Sequence, residues 1–262
     1  GKHYMSRGTA LITGASSGIG EAFAHVFARE GFDLVITARR EEKLNSLLSK
    51  LPTGTNALVL PCDLSNAEGI AKLCESVSQQ SVEIDVLVNN AGMMVENDFT
   101  NLTSAQVEQS ITLNILATTQ LIHHFLPAMK AKRSGRILNV ASVAAFLPVP
   151  GMDVYAATKA YVLSFSEALA ENLRDTGVHV TALCPGLTDT EMADKSISAA
   201  MPPFMISKPE KVAQEGFDAL MDRKVICIPG NANQLALAWA QHQPRWLIRG
   251  LGGLAKKLIP KK

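Results

Sequence analysis

Tyr155 and Lys159 stand four residues apart in Asp153–Asp175, a stretch whose apolar spacing predicts a long helix. Four residues are close to one helical turn, so both side chains share a face. A tyrosine alone, with an ordinary pKa of about 10, exchanges protons poorly at neutral pH. An ammonium beside it stabilises the phenolate and lowers that pKa. The pair is therefore suited to moving a proton. Ser142 lies thirteen positions before Tyr155, just past the apolar run Arg136–Val140. Its hydroxyl can donate to an oxygen on which negative charge develops.

A second constellation lies near the start of the chain. The apolar run Thr9–Thr13 opens into Gly14-Ala15-Ser16-Ser17-Gly18-Ile19-Gly20, and a helical pattern covers Gly18–Glu30. Glycines between a first strand and a first helix let the backbone turn tightly and approach a pyrophosphate, while the helix start offers free N–H groups and a positive dipole end. The next apolar run, Asp33–Ala38, leads into Arg39-Arg40. Dinucleotide sites that prefer NAD place an acid here for the ribose 2′-hydroxyl. This chain has none; Ala38 leaves room and two guanidinium groups can meet a 2′-phosphate, which favours NADP over NAD.

These groups need a scaffold that brings distant stretches together. Further strands are expected at Asn56–Pro61, Asp85–Val88, Arg136–Val140, Val178–Cys184 and Val225–Ile228, with helices at Glu41–Leu51, Asn66–Gln79, Ser104–Lys132, Asp153–Asp175 and Pro209–Met221. Pro127 suggests a bend in the fourth helix. Regular strand–helix alternation implies parallel strands with right-handed crossovers, and continuous apolar strands imply helices on both faces. The expected fold is α/β: a doubly wound, mostly parallel seven-stranded sheet in one domain over 5–262. Gly1–Tyr4 is set aside as a possible expression remnant, and 188–208 and 231–262 stand outside the alternation.

In order and spacing, Thr13-Gly14-x-x-x-Gly18-Ile19-Gly20, Asn89-Asn90-Ala91-Gly92, Asn114, Ser142, Tyr155-x-x-x-Lys159 and Pro185-Gly186 resemble the short-chain dehydrogenase/reductase family, in its compact single-domain branch. The resemblance runs to about Ile228. It implies an NADP(H)-dependent oxidoreductase of the carbonyl reductase type, moving a hydride between nicotinamide and a carbonyl or secondary alcohol. Tyr155 would be the proton donor and Lys159 its partner, also holding the nicotinamide ribose. Ser142 would polarise the carbonyl, and Asn114 would help hold a relay water near the lysine. Gly14, Ser16, Ser17, Gly18, Ile19 and Gly20 would cradle the phosphates, with Arg39 and Arg40 at the 2′-phosphate. Asp63 and Leu64 would face the adenine; Asn90, Ala91 and Gly92 the adenosine ribose; Pro185, Gly186 and Thr188 the nicotinamide. A dehydratase or epimerase on the same scaffold, and a non-enzymatic NADP(H)-binding regulator, remain as alternatives.

The bulk properties agree with a globular enzyme. The chain has 262 residues, 47% hydrophobic and 19% charged, with a formal net charge of +1. That charge offers no global attraction to nucleic acid. The four cysteines form no CxxC pair and read as small buried hydrophobes in a reducing, cytoplasmic compartment. No metal site is expected; His123 and His124 lack acids or cysteines at ligand spacing. No apolar run is long enough to predict a membrane-spanning helix.

Two variable stretches remain. Thr188–Lys208 takes the substrate-loop position and contains Met192, Ile197, Met201, Phe204, Met205 and Ile206, a composition suited to a lipophilic substrate. In Pro244–Lys262, Leu247, Leu251, Leu254 and Leu258 share a helical face opposite Arg245, Arg249 and Lys256. That face could dock on this protein or a partner subunit, the preferred reading, or lie on a membrane surface. The length of Ser104–Lys132 and Asp153–Asp175 and the family resemblance suggest a homodimer or homotetramer built through those helices.

Overall fold

The computed structural model describes residues 5–95, 97–148, 150–188 and 206–258. Its main sheet has seven parallel strands: β1 (Thr9–Thr13), β2 (Asp33–Thr37), β3 (Ala57–Val59), β4 (Val86–Asn89), β5 (Gly135–Val140), β6 (Val178–Leu183) and an edge strand, Ile226–Cys227. The spatial order is β3-β2-β1-β4-β5-β6 and then the edge strand. Side chains alternate across the sheet, so neighbouring residues feed opposite cores. Ala10, Ile12, Leu34, Ile36 and Leu138 join the core under α1 (Gly18–Arg29), α2 (Glu41–Lys50) and the helix Pro209–Met221. Leu11, Val35, Leu87 and Ile137 join the other core, with α3 (Ala67–Gln79) and Ala117–Ala131. This doubly wound arrangement is the one the alternating pattern implies.

The strand order reverses between β1 and β4, which lie side by side. A crevice must open where the crossovers from two adjacent strands leave in opposite directions, at their carboxyl ends. Thr13-Gly14 and Asn89-Asn90 stand at those ends.

Several boundaries differ from expectation. The third and seventh strands shorten to Ala57–Val59 and Ile226–Cys227. The long helical stretch is α4 (Ser104–Ile111), a π-turn over Thr112–Leu116, and α5 (Ala117–Ala131). The register break therefore lies at the π-turn, well before Pro127, and it contains Asn114. Residues 189–205 of the substrate loop fall outside the described residues, and with them Met192, Ile197, Met201, Phe204 and Met205; at its margins Leu187–Thr188 pairs in parallel with Ile206–Ser207. The C-terminal extension forms two helices, Asn231–Gln241 and Arg245–Leu258. The first of these was not anticipated; the sequence hint is Gly230, whose φ of 87° turns the chain into it.

Candidate active site

At the carboxyl end of β1 the chain must turn without striking β4. Gly14 and Gly18 have φ of 61° and 57°, a region that favours glycine. Gly20 is more tightly constrained: a Cβ there would lie 2.1 Å from the Gly14 carbonyl oxygen and 2.4 Å from Asn90 Nδ2. The turn and β4 are tied by Asn90 Nδ2, which donates to the Thr13 and Gly14 carbonyls at 3.2 and 3.1 Å. Thr13 Oγ1 accepts from the backbone N–H groups of Asn90 and Ala91 at 3.0 and 2.9 Å. Thr13 is a positioning residue that the sequence reading passed over, although it opens the glycine motif.

A cleft of about 450 Å³ runs from this turn across the sheet ends. Its walls contain Gly14, Ser16, Ser17, Gly18 and Ile19, then Arg39, Arg40, Asp63 and Leu64, then Asn90, Ala91 and Gly92, and finally Tyr155 and Lys159. Arg39 and Arg40 are exposed at one end, after the buried Thr37. Asp63 accepts from the Ser65 hydroxyl at 2.6 Å and the Ser65 N–H at 3.0 Å. These bonds, with the field of Arg39, hold the Asp63 carboxyl below the usual carboxylate range. The glycine cradle and the cationic end both fit a phosphorylated dinucleotide: the first gives backbone N–H access, the second charge.

At the other end, α6 (Asp153–Asn172) presents Tyr155 and Lys159. Lys159 is 5% exposed and donates from Nζ to the Val140 carbonyl at 3.0 Å, while Nζ lies 5.6 Å from the centre of the Tyr155 ring. The ammonium is thus anchored to β5 and held beside the phenol. Ser142, also buried, follows β5; its Oγ accepts from the Ala144 N–H at 3.1 Å, an interaction that fixes the hydroxyl while leaving it able to donate. Asn114 is 1% exposed. Its Oδ1 accepts from Met93 N at 2.9 Å, and its Nδ2 donates to Met93 O at 3.0 Å and to Thr158 Oγ1 at 3.1 Å. Thr158 in turn donates to the Tyr155 carbonyl at 2.7 Å. The side chain of Asn114 therefore ties the segment after Gly92 to the tyrosine helix. A Cβ on Gly92 would sit 3.3 Å from Asn114 Oδ1 and 3.4 Å from Lys159 Nζ, so this glycine keeps the two groups close.

Gly20, Asn114, Ser142, Pro185 and Gly186 do not themselves line the cleft. Gly20 lies beneath the turn. The Pro185 carbonyl accepts from Val143 N at 3.0 Å, which places that loop against the Ser142 segment. Gly186 packs against Asn233, whose Nδ2 would be 2.8 Å from an added Cβ. Thr188 is on the short strand paired with Ser207, and its backbone alone is described. The sequence reading also missed Met93, Met94, Gln109 and Leu113, which line the cleft. Met93 and Met94 directly follow Gly92, so their place after the motif was the available signal.

Cys62 and Cys184 are buried, as expected, whereas Cys74 and Cys227 are half-buried. Burial pushes the Cys184 thiol up to about 12 and the Cys227 thiol to about 11, and it raises Cys62 and Cys74 as well. Among the described residues no group of three His, Cys, Asp or Glu side chains could hold a metal ion, and no helix is long and apolar enough to cross a membrane.

The last helix rests on the domain beside this site, through a side that leaves Leu251 and Leu254 out, with Leu247 half-buried and the Leu258 side chain outside the described residues. Gly252 packs against the Pro148 carbonyl and Pro150, Ile248 is half-buried, and Lys256 Nζ pairs with Asp98 Oδ1 at 2.8 Å. Leu251 and Leu254 remain 43% and 57% exposed. A glycine allows the closest approach of two backbones, so the helix seats on Gly252 rather than on the bulkier leucines.

Residues 8–200 match the family model described as short chain dehydrogenase. An uncharacterized oxidoreductase of Bacillus subtilis, YvrD, is 38% identical over 181 residues, covering 69% of this chain and 68% of that protein. A short-chain dehydrogenase from Sphingobium yanoikuyae, solved in complex with NADPH, superposes with a TM-score of 0.79 at 34% identity, covering 89% of this chain and 93% of the other. A bulky-bulky ketone specific alcohol dehydrogenase from Comamonas testosteroni gives 0.77 at 30% identity over 90% and 93%.

Proposed function

The chain belongs to the short-chain dehydrogenase/reductase family and is an oxidoreductase, and we propose that it is an NADP(H)-dependent enzyme interconverting a lipophilic ketone and its secondary alcohol. One observation carries this reading: a single cleft joins the Arg39-Arg40 cationic end to the Tyr155–Lys159 pair, and Met93, Met94 and Leu113 are among the residues that line it. The guanidinium groups supply charge for a 2′-phosphate where an NAD site would supply an acid. The NADPH complex of the Sphingobium relative and the bulky-ketone specificity of the Comamonas relative support the two halves of the reading.

When bound, the nicotinamide supplies or accepts a hydride at the carbonyl carbon. The protein's task is the oxygen. Ser142 donates to it and polarises the C=O bond. The Tyr155 hydroxyl passes its proton to the same oxygen, so that hydride on carbon and proton on oxygen together give the alcohol. Lys159, held by Val140, stabilises the phenolate left behind. In the oxidative direction the phenolate takes the proton back. Asn114 is a positioning residue: it fixes the Met93 segment against Thr158 and hence the backbone of Tyr155. Asp63 and Leu64 would face the adenine, and Pro185, Gly186 and Thr188 the nicotinamide.

Residues 5–262 act as one nucleotide-binding unit with 188–208 as its substrate loop. Unpaired, inert thiols support a reducing compartment such as the cytoplasm. Assembly as a homodimer or homotetramer through the α4–α5 stretch and α6 is supported by Ile111 and Tyr161, large apolar groups exposed on those helices. The deciding experiment follows nicotinamide absorbance with a panel of aliphatic, aromatic and steroid ketones, using NADPH and NADH in parallel. Faster turnover with NADPH and an apolar ketone is expected. A preference for NADH, or turnover confined to sugars or charged carbonyl compounds, would overturn the reading.

A further inference from the structure

From Arg223 to Lys262 the chain carries eight Lys and Arg residues and no Asp or Glu; the 222 residues before it carry seventeen and twenty-four. The near-neutral total thus conceals a strongly cationic end attached to an acidic body. A local field of this kind acts within about a Debye length whatever the net charge.

Apolar groups are exposed on the same element. On the helix Asn231–Gln241, Leu237 and Asn233 face inward, while Leu235 and Trp239 are 73% and 53% exposed on the opposite side. On the helix Arg245–Leu258, Trp246 is 66% exposed and joins Leu251 and Leu254. Because this helix is seated through Ile248, Gly252 and Lys256, those side chains are left uncovered by the described residues. On the helical wheel the exposed Lys257 falls between Trp246 and Leu254, while Arg245 and Arg249, also exposed, lie at the margin of this face on the Lys256 side. Trp, Leu and Lys interleaved on an outward helix face and flanked by Arg have the composition of an interfacial amphipathic helix: the apolar groups enter the acyl boundary, the indoles sit at headgroup level, and the cations meet anionic lipid.

We propose that the outward face of this C-terminal helix pair docks on an anionic lipid bilayer. Charge argues for lipid over a second copy of the chain. A two-fold contact apposes a patch with itself, and here it would bring two acid-free cationic faces together. The docked helix contacts Asp98, Pro148 and Pro150, in loops that precede the Ser104 helix and the Tyr155 helix respectively. Docking would therefore hold the substrate side of the cleft close to the bilayer surface.

The chain's two tryptophans, Trp239 and Trp246, both lie on the proposed face, so intrinsic fluorescence reports the contact directly. The full-length protein is mixed with vesicles of phosphatidylcholine alone or of phosphatidylcholine with phosphatidylglycerol, and both emission and co-sedimentation are recorded. The expected result is a blue shift and sedimentation with the anionic vesicles, weakened by salt. Leu251→Asp with Leu254→Asp should abolish both. Arg249→Glu with Lys257→Glu, which leaves the apolar groups in place, should weaken partitioning by at least about tenfold. Ketone turnover in solution should be unchanged in both variants. If the leucine variant fails to fold, the charge-reversal variant decides. No sedimentation of the wild type, or equal binding to both vesicle types at all salt concentrations, overturns the proposal. So does a variant that binds as the wild type does. Light scattering that shows the leucine variant dissociating an oligomer, with no vesicle binding by the wild type, assigns the face to a second copy instead.

Discussion

The two ends of the cleft are built by different means. At the nucleotide end, Thr13, Gly14, Gly20, Asn90 and Ala91 meet through side-chain-to-backbone hydrogen bonds and a glycine contact with no room for a methyl group. At the substrate end, the loops beside Tyr155 are covered by a helix nearly a hundred residues further along the chain, seated on Gly252 and the exposed Lys256–Asp98 pair. The first end is compact and intolerant of change; the second is a lighter contact between surface elements. A fold that holds one end of its cleft rigidly while leaving the loops at the other end to a peripheral contact can vary the second without disturbing the first.

The largest effect should come from the chemistry between the two ends. Tyr155→Phe removes the proton donor and should lower kcat by about 10²–10⁴-fold while NADPH affinity, measured by fluorescence titration, stays near wild type. Parallel loss of cofactor binding would mean that the phenol belongs to the nucleotide end. Next in size is the cationic wall. Arg39→Ala should weaken NADPH by about 1.5–3 kcal/mol and leave NADH nearly unaffected; equal losses for both would remove the 2′-phosphate from the argument.

The same substitution at glycines in the two regions sharpens the contrast. Gly20→Ala pushes a methyl group into the Gly14 carbonyl and should cost about 1–3 kcal/mol in thermal or denaturant unfolding, with loss of NADPH binding. Gly253→Ala meets nothing within 4 Å and should stabilise the last helix, by up to about 1 kcal/mol. If Gly20→Ala is as well tolerated as Gly253→Ala, the nucleotide end is not the rigid one.

The smallest effect is expected at the Lys256–Asp98 pair. The hydrogen bond and charge of Asp98 raise the Lys256 pKa. A raised lysine pKa contributes stability that is present below the ordinary lysine value and lost as pH rises through the raised one. Both side chains are largely solvated, so Lys256→Ala should leave the melting temperature at neutral pH almost unchanged. A large drop would show that the substrate end is held as firmly as the nucleotide end.

The scaffold was legible in the residues alone, and so was the glycine turn after the first strand. Strands buried on both faces read as continuous apolar runs, and a glycine turn between the first strand and helix is local chemistry, legible without knowing what surrounds it. Tyr155 and Lys159 were legible for the same reason, since one helical turn fixes their relation. Tertiary structure decided what depends on distant partners. The place of Asn114 in a π-turn, and its bonds to Met93 and Thr158, join three separated stretches. Thr13 gained its role from β4, and Met93 and Met94 became a wall because the cleft passes them. The leucine periodicity of the last helix marked an apolar stripe correctly but could not say which side would be seated. That was settled by where Gly252 could approach Pro148 and where Lys256 could reach Asp98, because periodicity describes one helix and seating is a property of two surfaces.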